Sequence, residues 1–214
     1  SNCVKTLFRK SSTLFLQKTI VEHIYHLGED KGGSMSKENI IVIGFMGCGK
    51  TTVGKRIAKE LEYQFVDTDA MIEEQEGMTI SEIFQIHGES YFRSLETKLL
   101  TKLHNSLEHA VVSTGGGLPI RDENAELLKE LGCVIYLKVE KETVLHRLKG
   151  DTTRPLLAGA DADKKVGFLL KERAPKYEKA SHWQVNVDKL TLSEVCQKVV
   201  NCYKTSHYPK KRVY

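Results

Sequence analysis

Proline is scarce, with 4 in 214 residues, glycine numbers only 16, and no uninterrupted apolar run approaches the length of about 18 residues that a membrane span requires. Collagen-like and low-complexity chains are thereby excluded, and with 40% hydrophobic residues the sequence is expected to fold around a core as a soluble protein. Cysteine is sparse as well. Cys3, Cys48, Cys133, Cys196 and Cys202 make an odd number without a CxxC pair, and no apolar leader with a small-residue cleavage site precedes them. Disulfide staples and secretion are not expected, and the cytoplasm is the expected compartment. The 8 histidines form neither an HExxH motif nor a cluster with cysteine, so a zinc site has no ligands. Strong charge of one sign is lacking too: 32 basic against 28 acidic residues leave +4. Only Lys210, Lys211 and Arg212 form a dense basic run, which reads as a solvated tail. Neither nucleic acid nor membrane is an expected partner.

The chain divides near Met35. Residues 1–34 carry Lys5, Arg9, Lys10 and Lys18 before the first acid, Glu22, and close on the loop-like GEDKGGS. This segment reads as an appendage to the domain, in preference to a transit segment, with Leu16, Ile20, Ile24 and Leu27 at helical spacing. Residues 35–204 form the expected single domain, and 205–214 a basic tail. From residue 39 onward, short apolar runs alternate with helical stretches: 39–44, 64–67, 110–114, 133–139 and 184–187 predict five strands. Thr79 with Glu82 and Thr191 with Glu194 fit capping boxes, and Gly132 fits a helix stop. Strand and helix in alternation predict an α/β fold with helices on both faces of a parallel sheet.

Residues 44–51, GFMGCGKT, match GxxxxGK[ST] between a strand and a helix. This P-loop wraps phosphates with consecutive backbone N–H groups at a helix N-terminus, so Gly47, Cys48, Gly49, Lys50, Thr51 and Thr52 are candidate ATP ligands. Lys50 is expected to reach the β- and γ-phosphates and Thr51 to face Mg²⁺. Cys48 is read as the small side chain that the loop requires, in preference to a reactive thiol. Asp67 and Asp69 end the second strand, where open parallel sheets place ligands. Their types suit a metal ligand and a base, and equally a turn and a helix cap. Gly115, Gly116 and Gly117 follow the third strand and would let backbone approach a ligand. Residues 150–163 are polar and glycine-containing, as a lid would be, and place Arg154 as a candidate arginine finger.

In this order and approximate spacing, GFMGCGKTTVG, DTD, FRSLE around Arg93, STGGG, RPLLAG and ERAPKYEKA around Arg173 resemble the shikimate kinases, over about residues 39–200. The resemblance implies a three-layer α/β/α P-loop kinase with a five-stranded parallel sheet, a substrate-binding helical region and a lid. It implies transfer of the ATP γ-phosphoryl group to the 3-hydroxyl of shikimate. By the same resemblance Asp69 holds the substrate hydroxyls and acts as base, and Asp67 holds Mg²⁺ through water. Arg93 and Arg173 bind the shikimate carboxylate, and Gly115, Gly116 and Gly117 lie against the ring. Arg154 meets the γ-phosphate, and Arg147 stacks on adenine. A monomer is expected. Two alternatives stand beside it: another small-metabolite P-loop kinase, such as one acting on gluconate, and a non-catalytic nucleotide-binding module.

Overall fold

Strands that are apolar along their whole length, rather than at alternate residues, belong inside a sheet covered on both faces. In the computed structural model, which describes residues 37–149 and 162–207, three strands have this character. They are β1 (Ile40–Ile43), β3 (Ala110–Ser113) and β4 (Cys133–Lys138), buried but for Lys138. The more polar β2 (Gln64–Asp67) and β5 (Trp183–Asn186) form the edges. Every neighbouring pair is parallel, in the order β2-β3-β1-β4-β5. All five expected strands are present within one residue of the expected bounds.

The described helices are α1 (Lys50–Leu61), α2 (Thr68–Glu76), α3 (Ile80–Ser106), α4 (Asp122–Leu131), α5 (Lys141–Arg147), α6 (Ala162–Ala180) and α7 (Leu192–His207). α1 and α7 pack together on one side, against β3 and β4 respectively, while α4 packs on α3, α6 and β4 across the sheet. The core lies between these layers, with Tyr136, Tyr177 and Phe45 among its largest fully buried side chains. α7 runs past the boundary expected at 204. Residues 1–34, the end of the tail and most of the expected lid, including Arg154, lie outside the described residues.

Local signals explain most of the ends. Both capping boxes form, Thr79 with Glu82 and Thr191 with Glu194. α1 starts at Lys50, where Gly49 takes φ 100 as its N-cap and the P-loop runs straight into the helix. α3 is broken at Gly88, where φ 80 separates a first segment from the one that bears Arg93.

One buried polar residue ties four elements together. The Asn39 amide donates to the Leu107 carbonyl at 3.0 Å and the Leu131 carbonyl at 2.9 Å, at the ends of α3 and α4. Its side-chain oxygen accepts from the Ala110 N–H that opens β3, and its backbone carbonyl accepts from the Cys133 N–H that opens β4. Gly132 ends α4 in extended backbone. It is glycine for lack of room, since a Cβ there would lie 2.5 Å from the Asn39 carbonyl oxygen.

Candidate active site

Sheet register brings the motifs to one edge. Ser113 of β3 pairs with Val42 of β1 and with Asp67 of β2. The P-loop after β1, the acidic pair at the end of β2 and the glycines after β3 therefore emerge side by side at the carboxyl ends of the strands.

The P-loop closes on its own lysine. Lys50 Nζ donates to the carbonyls of Gly44 and Phe45, both at 2.9 Å, and lies 3.8 Å from Cys48 Sγ. Cys48 is buried and its sulfur faces Gly44, so it packs the loop as a small side chain. Thr51 and Thr52 are exposed at the start of α1 and line a cavity of about 500 Å³ together with Gly47 and Gly49. Arg147 Nη1 donates to the carbonyls of Gly47 and Cys48, each at 3.2 Å. Its guanidinium thereby borders the same cavity, whose far side is apolar through Val187, Leu190 and Leu192. A flat cation beside apolar side chains is a suitable slot for a nucleobase.

Asp67 takes the capping role that its position at the end of β2 allows. It caps α2, accepting from the N–H groups of Asp69 and Ala70. Its other oxygen accepts from the Thr51 hydroxyl at 3.0 Å, and Thr51 in turn lies 3.3 Å from Ser113 Oγ. Two hydroxyls and a carboxylate gather here as hard oxygen donors. Such a set fits Mg²⁺, which keeps several waters and shares the rest of its shell with phosphate. Among the described residues no cluster of three or more His, Cys, Asp or Glu side chains forms a cage that would hold a metal by protein alone.

A second cavity, of about 480 Å³, is lined by Arg93, Gly117, Arg121, Arg173 and Lys176, with Glu89 and Glu172 at its margin. Its excess of cations suits a carboxylate ligand. Arg93 is held on both sides: Nη2 lies 2.8 Å from Glu89 and Nη1 2.9 Å from Glu96, with the Phe92 ring 5.4 Å from Cζ. Glu96 is fully buried, and its Oε1 has no hydrogen-bond partner among the described residues. Burial pushes its carboxyl up to about 7, against the pull of Arg93, and the nearby Asp69 carboxylate adds to the rise.

The glycines at 115–117 form the wall between the two cavities. Asp69 and Gly116 line the first and Gly117 the second. A Cβ at Gly115 would collide with the Asp69 carboxylate, and one at Gly117 with the Arg93 guanidinium, so these positions are glycine to admit both side chains. The Gly115 N–H donates to the Thr68 hydroxyl at 2.9 Å, and Tyr177 donates its hydroxyl proton to the Gly116 carbonyl at 2.6 Å.

The structure thus gathers every expected site residue except Arg154, which lies outside the described residues. It adds Thr68, Glu96, Ser113, Arg121 and Tyr177, which sequence reasoning did not assign. Thr68, Glu96, Ser113 and Tyr177 fall inside the quoted motifs DTD, FRSLE, STGGG and ERAPKYEKA, and only their partners across the fold show what they do.

Known proteins resemble this chain in sequence and fold. The shikimate kinase family model matches residues 46–204. The shikimate kinase of Caldicellulosiruptor bescii is 42% identical over 166 residues, 78% of this chain and 95% of that protein. The solved structure of a shikimate kinase from Acinetobacter baumannii in complex with shikimate superposes with a TM-score of 0.74 at 36% identity. That match covers 83% of this chain and 97% of the other. A gluconokinase from Sinorhizobium meliloti reaches a TM-score of 0.52 at 18% identity over 80% of this chain and 97% of its own, a likeness of fold alone.

Proposed function

The chain belongs to the shikimate kinase family, and we propose that it transfers the γ-phosphoryl group of ATP to the 3-hydroxyl of shikimate, giving shikimate 3-phosphate and ADP. It is an ATP-dependent small-molecule kinase, and its reaction serves chorismate and aromatic amino-acid biosynthesis. The observation that carries the assignment is the junction of the two cavities. Arg93 and Arg173 line a cationic pocket together with Gly117, the next residue after Gly116, which lines the P-loop pocket with Asp69.

Phosphoryl transfer asks a protein mainly for alignment and for neutralisation of developing charge. Arg93 and Arg173 hold the shikimate carboxylate through their guanidinium forks, fixing one end of the ring. Asp69, at the wall between the pockets, orients the 3-hydroxyl and accepts its proton as the oxygen attacks phosphorus. Gly115, Gly116 and Gly117 lie against the ring. Lys50 leaves the carbonyls of Gly44 and Phe45 to meet the β- and γ-phosphates, and the backbone from Gly47 to Thr52, Cys48 included, cradles them. Mg²⁺, bound by Thr51 and through water by Asp67, would neutralise phosphate charge. Arg147 stacks on adenine, and Arg154 meets the γ-phosphate, a role assigned by resemblance to the family. The enzyme acts as a monomer in this reading. The four described cysteines are all free thiols, in keeping with the cytoplasm.

ADP release in a coupled assay with ATP and Mg²⁺, comparing shikimate, quinate, gluconate and AMP as acceptors, tests the assignment. Turnover with shikimate at the highest kcat/KM is the expected result. Preference for gluconate or AMP reassigns the cationic pocket, and binding of ATP without turnover on any of the four leaves a nucleotide-binding module.

A further inference from the structure

Tyr177 stands on α6 four residues after Arg173, about one turn, so both side chains leave the same face of the helix. Its ring is fully buried and packs on Tyr136 with centroids 5.1 Å apart. For packing alone a phenylalanine would serve, so the hydroxyl is the informative part. It donates to the Gly116 carbonyl at 2.6 Å, and the positive charge of Arg173 lies close enough to oppose in part the upward push that burial gives the phenol. Arg173 is confined on another side by the P-loop ring of Phe45, 5.9 Å from Cζ.

A run of three glycines has no side chains to hold itself in place. The carbonyls of Gly115 and Gly117 are taken by the turn that follows, accepting from the N–H groups of Leu118 and Ile120. The Gly116 carbonyl is taken by Tyr177. Because the peptide between Gly116 and Gly117 is planar and trans, holding that carbonyl toward α6 aims the Gly117 N–H the opposite way. Gly117 lines the acceptor cavity.

We propose that Tyr177 is a positioning residue for the acceptor, its hydroxyl holding the glycine loop against the part of α6 that carries Arg173. It touches no substrate itself. The inference rests on the assignment of the cationic cavity to the acceptor, and it gives the buried hydroxyl a part in acceptor affinity, leaving nucleotide binding alone.

Tyr177→Phe keeps the ring against Tyr136 and removes only the bridging oxygen. Steady-state kinetics should show the KM for shikimate raised about tenfold, with kcat and the KM for ATP within about twofold of the parent. Tyr136→Phe, which removes a hydroxyl from the same layer, should change neither KM. An unchanged shikimate KM in Tyr177→Phe overturns the proposal. So does an equal rise in both KM values, or an unfolded variant by circular dichroism, because the hydroxyl would then serve the fold at large. Failure of the acceptor assignment shows separately, in the parent enzyme: if it turns over another acceptor instead, the same KM comparison is made with that compound.

Discussion

Asp67, Thr68 and Asp69 are consecutive, yet their side chains go to three different places. Asp67 caps α2 and reaches Thr51, Thr68 accepts from the Gly115 N–H, and Asp69 lies against Gly115 at the wall between the cavities. The division of labour makes the two carboxylates separable by mutation. Asp69→Asn removes the proposed base and keeps the shape, so kcat should fall by about 10²- to 10⁴-fold with the KM for ATP unchanged. Near-normal turnover would assign proton removal elsewhere. Glu96 supplies a second residue-scale prediction, in stability. Its folded carboxyl titrates at about 7 against an ordinary 4.5, chiefly through burial. Between these values the unfolded chain has released the proton and the folded chain still holds it, so the Glu96 contribution to stability declines as pH rises through this window and levels off above it. Glu96→Gln carries no such titration. Relative to the parent it should therefore gain stability from pH 5 to pH 8, by an amount on the order of 3 kcal/mol. Urea denaturation of both proteins at the two pH values measures it, and a difference that stays constant would mean that Glu96 is already ionised at pH 5. Neither the spacing of FRSLE nor its composition announces this behaviour. Glu96 needs burial by the folded chain, with the Asp69 carboxylate nearby, to become what it is.

Elements were the most legible part of the chain, because their signals are local. The unbroken apolar run of β1 marks a strand covered on both faces, and Thr79 with Glu82 marks a helix start, without reference to anything distant in sequence. What holds elements to one another is less legible. Asn39 reads as a polar residue in front of a strand, and nothing nearby discloses that its amide closes the ends of α3 and α4, 68 and 92 residues away. Gly132 is legible as a stop but not for its actual cause, the Asn39 backbone pressed against it. Asn39→Ala leaves three buried backbone groups without their side-chain partner. At about 1–3 kcal/mol for each unsatisfied buried group, with partial relaxation, a loss of about 3 kcal/mol in unfolding free energy is expected. Because Asn39 sits at the amino ends of the strands, opposite the site, kcat/KM should stay within about twofold while the protein remains folded. A large loss of activity at full folding would show that strain at one end of the sheet reaches the other.

At the scale of the whole molecule, one glycine segment borders two pockets, Gly116 lining the first and Gly117 the second, which the proposed function assigns to different substrates. The P-loop motif made the nucleotide pocket legible by itself, since the glycines, lysine and threonine act within eight residues. The acceptor pocket was legible only through resemblance to a family, because Arg93 on α3, Gly117 after β3 and Arg173 on α6 meet by folding. The two pockets have separate anchors: Lys50 and Thr51 belong to the first, Arg93 and Arg173 to the second. A ligand at 100 times its dissociation constant stabilises the folded state by about 2.7 kcal/mol, which a thermal shift resolves. Lys50→Ala should therefore abolish the rise in Tm produced by ATP with Mg²⁺ and retain the rise produced by shikimate. Loss of both shifts would mean that Lys50, through its bonds to the Gly44 and Phe45 carbonyls, also holds the shared wall. A Cβ on Gly116 would lie 3.6 Å from the Gly44 carbonyl oxygen and 3.7 Å from the Met46 nitrogen, so the glycine segment runs close to the P-loop and the nucleotide and acceptor pockets would then form a single cooperative unit.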